Sequence, residues 1–398
     1  MPLPLARLLI LLLLATFSLR AQSHYEPGTL NAKKRFADRE HQALAAPFVG
    51  VRSPTGIELN LFPLQSTGVS TQPVVAAATA FLASLDSVQL LSTQFAVDDL
   101  EWRKWFNVDN GIYLRQGTPL KTMSAAQKQA ARHLMAATLS ARGLDLADAI
   151  RRTDRTLHEL NDDAFFLDEE LYYFTIMGTP SSTEPWGWQI DGHHLVINTF
   201  VLGDQIVMTP TFLGGEPTTT LTGKYAGNRV LQAEQNDGLA FVQSLTPAQQ
   251  KTAILSRVKT RNSIEAEALQ DNAIIDYAGV SAATFSPAQR KAFLALIQHY
   301  VGNLREDHAA IWMDSIAAHL ERTTFAWIGP VEADAVFYYR IHSPVILIEF
   351  DHQNPVGTRS LHPARQPTRD HIHTIIRTPN GNDYGRDLLR QHLEAHPH

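Results

Sequence analysis

Two blocks of short apolar or alternating runs, at 171–209 and 324–377, are separated by helical pattern over 228–320. In the first block Leu171–Met177, Gly187–Ile190, His194–Val201 and Gln205–Thr209 are separated or followed by Gly192, Gly203-Asp204 and Gly214-Gly215. That reads as antiparallel strands joined by tight turns. The second holds Thr324–Ile328, Ala335–His342, Val345–Asp351 and His371–Arg377, with a Pro- and Gly-bearing loop over 353–369. Neither block has enough strands for a sandwich of its own. The expected fold class is therefore α+β, with helices packed on two antiparallel β blocks that form one sheet system.

Helical spacing runs over Val74–Leu91, Ala125–Arg142, Asp145–Leu160, Asn228–Leu245, Pro247–Val258, Pro287–Leu320 and Asp383–His396. Three of these open on a related tetrapeptide: Ser124-Ala-Ala-Gln127, Thr246-Pro-Ala-Gln249 and Ser286-Pro-Ala-Gln289. A hydroxyl at the N-cap and Gln three residues on can satisfy each other's free backbone donors, so these are helix starts and not functional signatures. A long regular repeat is not expected, which argues against a solenoid or propeller. Trp102, Trp105 and Phe106 are expected on packing surfaces.

The N-terminus is a different kind of segment. Arg7 precedes an apolar run from Leu8 to Phe17, and small or neutral residues follow at Ala21 and Ser23. This is the layout of a secretory signal peptide over 1–23, and the run is short for a membrane span. Its removal takes away Arg7 and Arg20 and no acid, so the net charge moves from −6 to −8. Residues 24–73 read as an extended N-terminal arm with a short strand at Ile57–Leu61, and 74–398 as a single domain. The expected location is secreted or periplasmic, with no membrane association after cleavage. An acidic chain is not a general nucleic-acid binder. With no Cys among 398 residues, disulfide scaffolds, thiolate metal sites and Cys nucleophiles are excluded.

Histidine carries the chemical information: 11 of the 17 lie from His299 onward. In the run Asp370–Arg377 a strand would project His371, His373, Ile375 and Arg377 from one face. Two imidazoles at i and i+2 can reach one ion, and neutral imidazole binds zinc, copper and iron. Arg377 on the same face could hold a carboxylate or phosphate. In Trp186–Asn198, His193 and His194 are adjacent, so a regular strand would send only one of them into a given site unless Gly192 bends the chain. Arg340 shares a face with His342, and Glu349 with Asp351, while His352 faces away at the strand end. Asp383, after Pro379-Asn380-Gly381, is an expected N-cap for the terminal helix. Asp168-Glu169-Glu170 reads as a solvated acidic turn. Cleavage after Ser23 would expose His24 as a copper-chelating N-terminus, the weakest of these readings.

HExxH, Walker A, GxSxG, Rossmann and EF-hand patterns are all absent, which removes support from the standard protease, kinase, serine-esterase and dehydrogenase readings. The runs Glu184–Asn198, Thr209–Pro217, Tyr338–Gln353 and His371–Leu389 together resemble the family catalogued as domain of unknown function 3500. The resemblance runs from about residue 75 to the end. It implies an exported single-domain protein and supplies no residue roles; it also implies Asn more often than His at position 352.

Physical inference then gives the roles. His371, His373 and one of His193 and His194 are expected to bind a divalent ion (Zn, Cu or Fe), leaving a position for water or substrate. Arg377 is expected to anchor a substrate oxygen, with Glu349 or Asp351 as base or second support and Trp186, Trp188, Tyr339 and Asp383 lining the substrate. The expected activity is a metal-dependent hydrolase acting on an oxygen-rich small molecule or carbohydrate. Oxidation at copper or iron is one alternative. The other is a non-enzymatic carbohydrate or organic-anion binder, with Trp186, Trp188, Tyr338 and Tyr339 stacking on the ligand.

Overall fold

The computed structural model describes residues 27–163 and 165–396. The leader expected over 1–23, and His24, lie outside the described residues. The helices are α1 (Pro27–Ala45), α2 (Gln72–Ser84), α3 (Ser87–Thr93), α4 (Ala125–Thr138), α5 (Ala141–Asn161), α6 (Gln232–Ser244), α7 (Pro247–Ala253), α8 (Pro287–Val301), α9 (Glu306–Ala318) and α10 (Arg386–Ala395). The strands are β1 (Gln94–Phe95), β2 (Thr118–Pro119), β3 (Tyr173–Met177), β4 (Trp186–Gly192), β5 (Leu195–Leu202), β6 (Gln205–Val207) and β7 (Thr211–Gly215). They continue with β8 (Ile254–Ser256), β9 (Val280–Ser281), β10 (Thr324–Ile328), β11 (Tyr338–His342), β12 (Leu347–His352) and β13 (Ile372–Arg377).

The two β blocks do form one sheet, ordered β1-β3-β4-β5-β7-β13-β12-β11-β10-β8, with β2, β6 and β9 as side pairings. The fold is α+β. The strand that joins the blocks is β7, whose Gly214-Gly215 pair has the character of a turn. It bonds β5 on one side and β13 on the other.

The sheet order is close to a palindrome about the β7–β13 junction. On each side a short edge strand runs parallel to the second strand from the edge, β1 with β3 and β8 with β10, and another pairs antiparallel with that second strand, β2 with β3 and β9 with β10. Gly117 and Gly279 occupy matching places: both have positive φ, and a Cβ would strike the Phe174 carbonyl in one case and the Phe325 carbonyl in the other. The capping boxes pair off in the same way. Gln127 meets Gln89, which closes a fourth box on Asp86, and Gln289 meets Gln249. The chain is therefore a tandem of two like α+β units. The duplication leaves a trace in the sequence, where Gly117 precedes Ser124-Ala-Ala-Gln127 at the same spacing as Gly279 precedes Ser286-Pro-Ala-Gln289.

Alternation sorts the sheet into two faces. Leu195, Ile197, Leu213, Ile348, Phe350, Ile372 and Ile376 belong to the larger core, packed under the helices. Val196, Phe212, Leu347 and Ile375 belong to a second core, covered by Trp102, Trp105, Phe106, Ala266 and Ile275 from largely irregular segments. The expected extended arm is α1 over most of its first half, and Ile57–Leu61 is not a strand.

Candidate metal centre

The acidic and basic side chains of β11, β12 and β13, His352 excepted, lie on the irregularly covered face. In the register across β7, β13, β12 and β11, Gly214 stands beside His373, His373 beside Asp351, and Asp351 beside Tyr338. His371, His373, Ile375 and Arg377 share this face as the i, i+2 spacing requires. His193 and His194 are not strand residues: Gly192 pairs with Leu195, so the two imidazoles are the tip of the β4–β5 hairpin. His194 takes a positive φ of 61° there, which turns both rings the same way. The rings stack with centroids 3.9 Å apart, so the expectation that they part to opposite faces is overturned by the turn itself.

The hairpin tip then crosses β7 at its glycine. The amide of Gly214 donates to the His194 carbonyl at 2.8 Å, and a Cβ on Gly214 would lie 3.1 Å from His194 Cδ2 and 2.9 Å from the Ile372 carbonyl. The missing side chain is the space the His194 ring uses. His194 Nε2 thereby comes to 3.2 Å from His371 Nε2, which is 3.0 Å from His373 Nε2. These three buried histidines present ligand atoms all within 4.8 Å of one another, and the group could hold a metal ion.

Proton positions decide what the three nitrogens offer. His371 Nδ1 is 2.7 Å from the carbonyl oxygen of Asn354, and His373 Nδ1 is 2.6 Å from Glu267 Oε1. Both partners only accept, so each Nδ1 carries a proton, and in the neutral ring each Nε2 turns a lone pair inward. Two lone pairs 3.0 Å apart repel unless a cation lies between them. Nitrogens held tetrahedrally at zinc distance would be about 3.4 Å apart, close to the separations found. Burial pulls His371 down to about 4, with Glu216 opposing and His373 adding to the fall. Burial also holds His194 well below its ordinary value. Both rings are neutral at pH 7, the form that binds metal.

Residues around the imidazoles fix them. Glu267 also accepts from Asn107 Nδ2 at 3.2 Å. Glu216 Oε2 lies 3.5 Å from His371 Nδ1 while its carboxylate accepts from the amides of Val356, Gly357 and Thr358. His193 stands outside the group of three. Its Nδ1 meets Asp154 Oδ1 of α5 at 2.5 Å, and the Tyr172 hydroxyl lies 2.7 Å from Asp154 Oδ2. Burial opposes the charged imidazole, yet the Asp154 carboxylate outweighs it and raises the His193 pKa. Glu267, with 26 % of its side chain exposed beside a largely enclosed His373, marks where the centre meets solvent.

The other expected site residues are placed elsewhere. Arg377 is wholly buried and donates to Asp271, Asp383 and the carbonyls of Ala266 and Glu267. Four of its five N–H groups are taken by the protein, so it organises the loop that carries Glu267 and does not face a substrate. Glu349 accepts from the amides of Glu265 and Ala266 and from Tyr338, and burial pushes it up to about 7. Asp351 accepts from Ser263 N and Gln353 Nε2 and pairs with Lys259 at 2.9 Å. Both anchor the same 257–271 segment. Asp383 accepts from Thr378 N at 2.7 Å; the terminal helix starts at Arg386 with Gly385 as its N-cap, so the capping expectation for Asp383 is corrected.

Trp186, Trp188 and Tyr339 are on the helical face and fully buried. Trp188 stacks on Phe174, and Tyr339 on Phe350. Alternation along β4 and β11 turns them away from the imidazoles, and Tyr338, though on the polar face, is buried with its hydroxyl on Glu349. None can stack on a ligand at the centre. His342 lies against the Asp276 carbonyl, and His352 bonds Phe337 N and Gln235; both are structural. Asp168, Glu169 and Glu170 pair with Lys121, Lys224 and Lys128 at the surface, as expected of a solvated turn. Glu267, Asn107, Asn354, Glu216 and Asp154 are not among the residues the sequence singles out. Asp154 sits in a helix and the rest in or beside segments without periodicity, so only the fold brings them to the imidazoles.

Residues 67–386 match the family model described as protein of unknown function (DUF3500). No curated protein and no solved structure matches the chain.

Proposed function

The chain belongs to the DUF3500 family, and from that premise we propose that it is a metal-dependent enzyme, a hydrolase of an oxygen-rich small molecule or carbohydrate, working in the secreted or periplasmic space. The observation that carries the reading is the convergence of three Nε2 atoms, from His194, His371 and His373, with the outer nitrogens of His371 and His373 held by acceptors. Three protein ligands with a fourth position open to water is the arrangement of catalytic zinc sites. Zinc, were it held by these three imidazoles, would supply an acidified water with a pKa of about 7. The chain's own part is to orient the rings through Asn354 and Glu267 and to enclose the centre. The export assignment is supported by the N-terminal leader pattern.

The same three imidazoles would also suit copper or iron, so the identity of the ion separates hydrolysis from oxidation. The reading as a carbohydrate binder loses its aromatic platform, since Trp186, Trp188 and Tyr339 are core residues. The test is hydrolysis of 4-nitrophenyl acetate and 4-nitrophenyl glycosides by untagged protein before and after chelation. Turnover should fall on chelation, return with zinc, and be lost in His194→Ala. Turnover indifferent to chelation and to that substitution would contradict the proposal.

A further inference from the structure

Beyond the far end of β13 from the imidazoles lies a cavity of about 130 Å³. From Thr378 in its wall to His373 is five residues, or about 17 Å of extended chain, so the cavity is separate from the metal centre. Its walls are α9, β6, the 61–67 segment and the turn after β13. From α9 it receives His308, Ile311, Trp312 and Ser315, the i, i+3, i+4, i+7 face of one helix. Facing them are apolar groups that include Phe62 and Met208. A dry apolar cavity of about 150 Å³ holds a benzene ring, so this one is of single-ring size.

One polar group in the wall is unpaired. His308 is 4 % exposed, and its Nε2 has no hydrogen-bond partner. The Ser70 backbone favours the imidazole's proton; with Nε2 unpartnered, that proton falls to the other nitrogen and Nε2 of the neutral ring presents a lone pair. Burial keeps the group below its ordinary pKa, so it is an uncharged acceptor at neutral pH. Mainly apolar walls with a few polar groups, here Gln65, Thr67, Gln205 and Asn382 beside His308, are the usual make-up of a small-ligand pocket.

We propose that this cavity binds a small uncharged molecule of single-ring size, apolar in body, whose hydroxyl or N–H donates to His308 Nε2. The site goes beyond the metal centre and does not depend on it. The test is calorimetric titration of the full chain with phenol and with toluene, which differ in a hydroxyl against a methyl group. Phenol should bind at least tenfold more tightly than toluene. His308→Phe should erase that preference, and Ser315→Trp, which fills the cavity while keeping the imidazole, should abolish phenol binding. No binding of phenol at millimolar concentration, as expected if water alone satisfies His308, would overturn the proposal. So would a phenol preference that survives His308→Phe. Should His308→Phe fail to fold, phenol binding of unchanged affinity in Ser315→Trp overturns it equally.

Discussion

Single residues divide into those that could hold an ion and those that hold the holders. Glu267 fixes the tautomer of His373 at 2.6 Å, and outer partners of metal-binding histidines are typically worth 10–100-fold in affinity. Glu267→Ala should therefore weaken zinc binding by 10–100-fold in a chelator competition while leaving the circular dichroism spectrum unchanged. Arg377 is of the second kind. Its removal leaves Asp271 and Asp383 buried and uncompensated, so Arg377→Met should cost about 3–5 kcal/mol in denaturant unfolding. A cost below about 1 kcal/mol would return Arg377 to a ligand-facing role. His193 supplies a pH dependence. Its folded pKa is raised above the ordinary 6.5 by Asp154, so the folded state holds the proton more tightly than the unfolded chain. The pair's contribution is fully present below pH 6.5 and is lost as pH rises through the raised value. Asp154→Asn should thus lose more stability relative to the wild type at pH 5.5 than at pH 8.5, in paired urea titrations. The histidines at 371 and 373 were legible as candidate ligands because period-two spacing puts them on one face. The role of Arg377 was not, because the same spacing says nothing of Asp271, a residue brought beneath it by a loop without periodicity.

At the scale of elements the centre depends on a hairpin tip and a bare strand. The β4–β5 turn supplies His194, β13 supplies His373 with His371 just before it, and β7 between them gives way at Gly214. Gly214→Ala keeps the strand but places a methyl 3.1 Å from the His194 ring. The ring must shift, and because the same methyl lies 2.9 Å from the Ile372 carbonyl of β13, the unfolding midpoint should fall as well; zinc affinity of the folded variant should drop by tenfold or more, and an unchanged affinity would show that His194 does not need that space. Here the sequence was half legible. Strand pairs and helix starts followed from alternation and from the Ser/Thr-x-x-Gln boxes, three of which close as expected. The joining strand was missed because its two glycines have the character of a turn, and glycine is common both in turns and where another chain segment presses close. Trp186, Trp188 and Tyr339 were read as ligand-facing because aromatic residues suit both a core and a binding surface; only the register shows which face is covered by helices.

The whole molecule is two like units meeting at β7 and β13, and the imidazoles gather at that seam. His194 comes from the first unit and His371 and His373 from the second. An ion there ties the units together in the folded state and has no formed site in the unfolded chain. Zinc at 1,000 times its dissociation constant should therefore add about 4 kcal/mol to stability, seen as a higher melting temperature that chelation reverses. The tandem was legible only as a recurring Ser/Thr-x-x-Gln helix start; that Gly117 and Gly279 stand at the same spacing before two of these boxes gains its meaning once the sheet order pairs the units. Metal content of protein purified without a histidine tag tests the shared imidazole centre most directly. Elemental analysis should find close to one zinc, copper or iron per chain, and none in the folded double variant His371→Ala with His373→Ala. A wild-type protein that stays metal-free after incubation with zinc, or a double variant that keeps its metal, would contradict it.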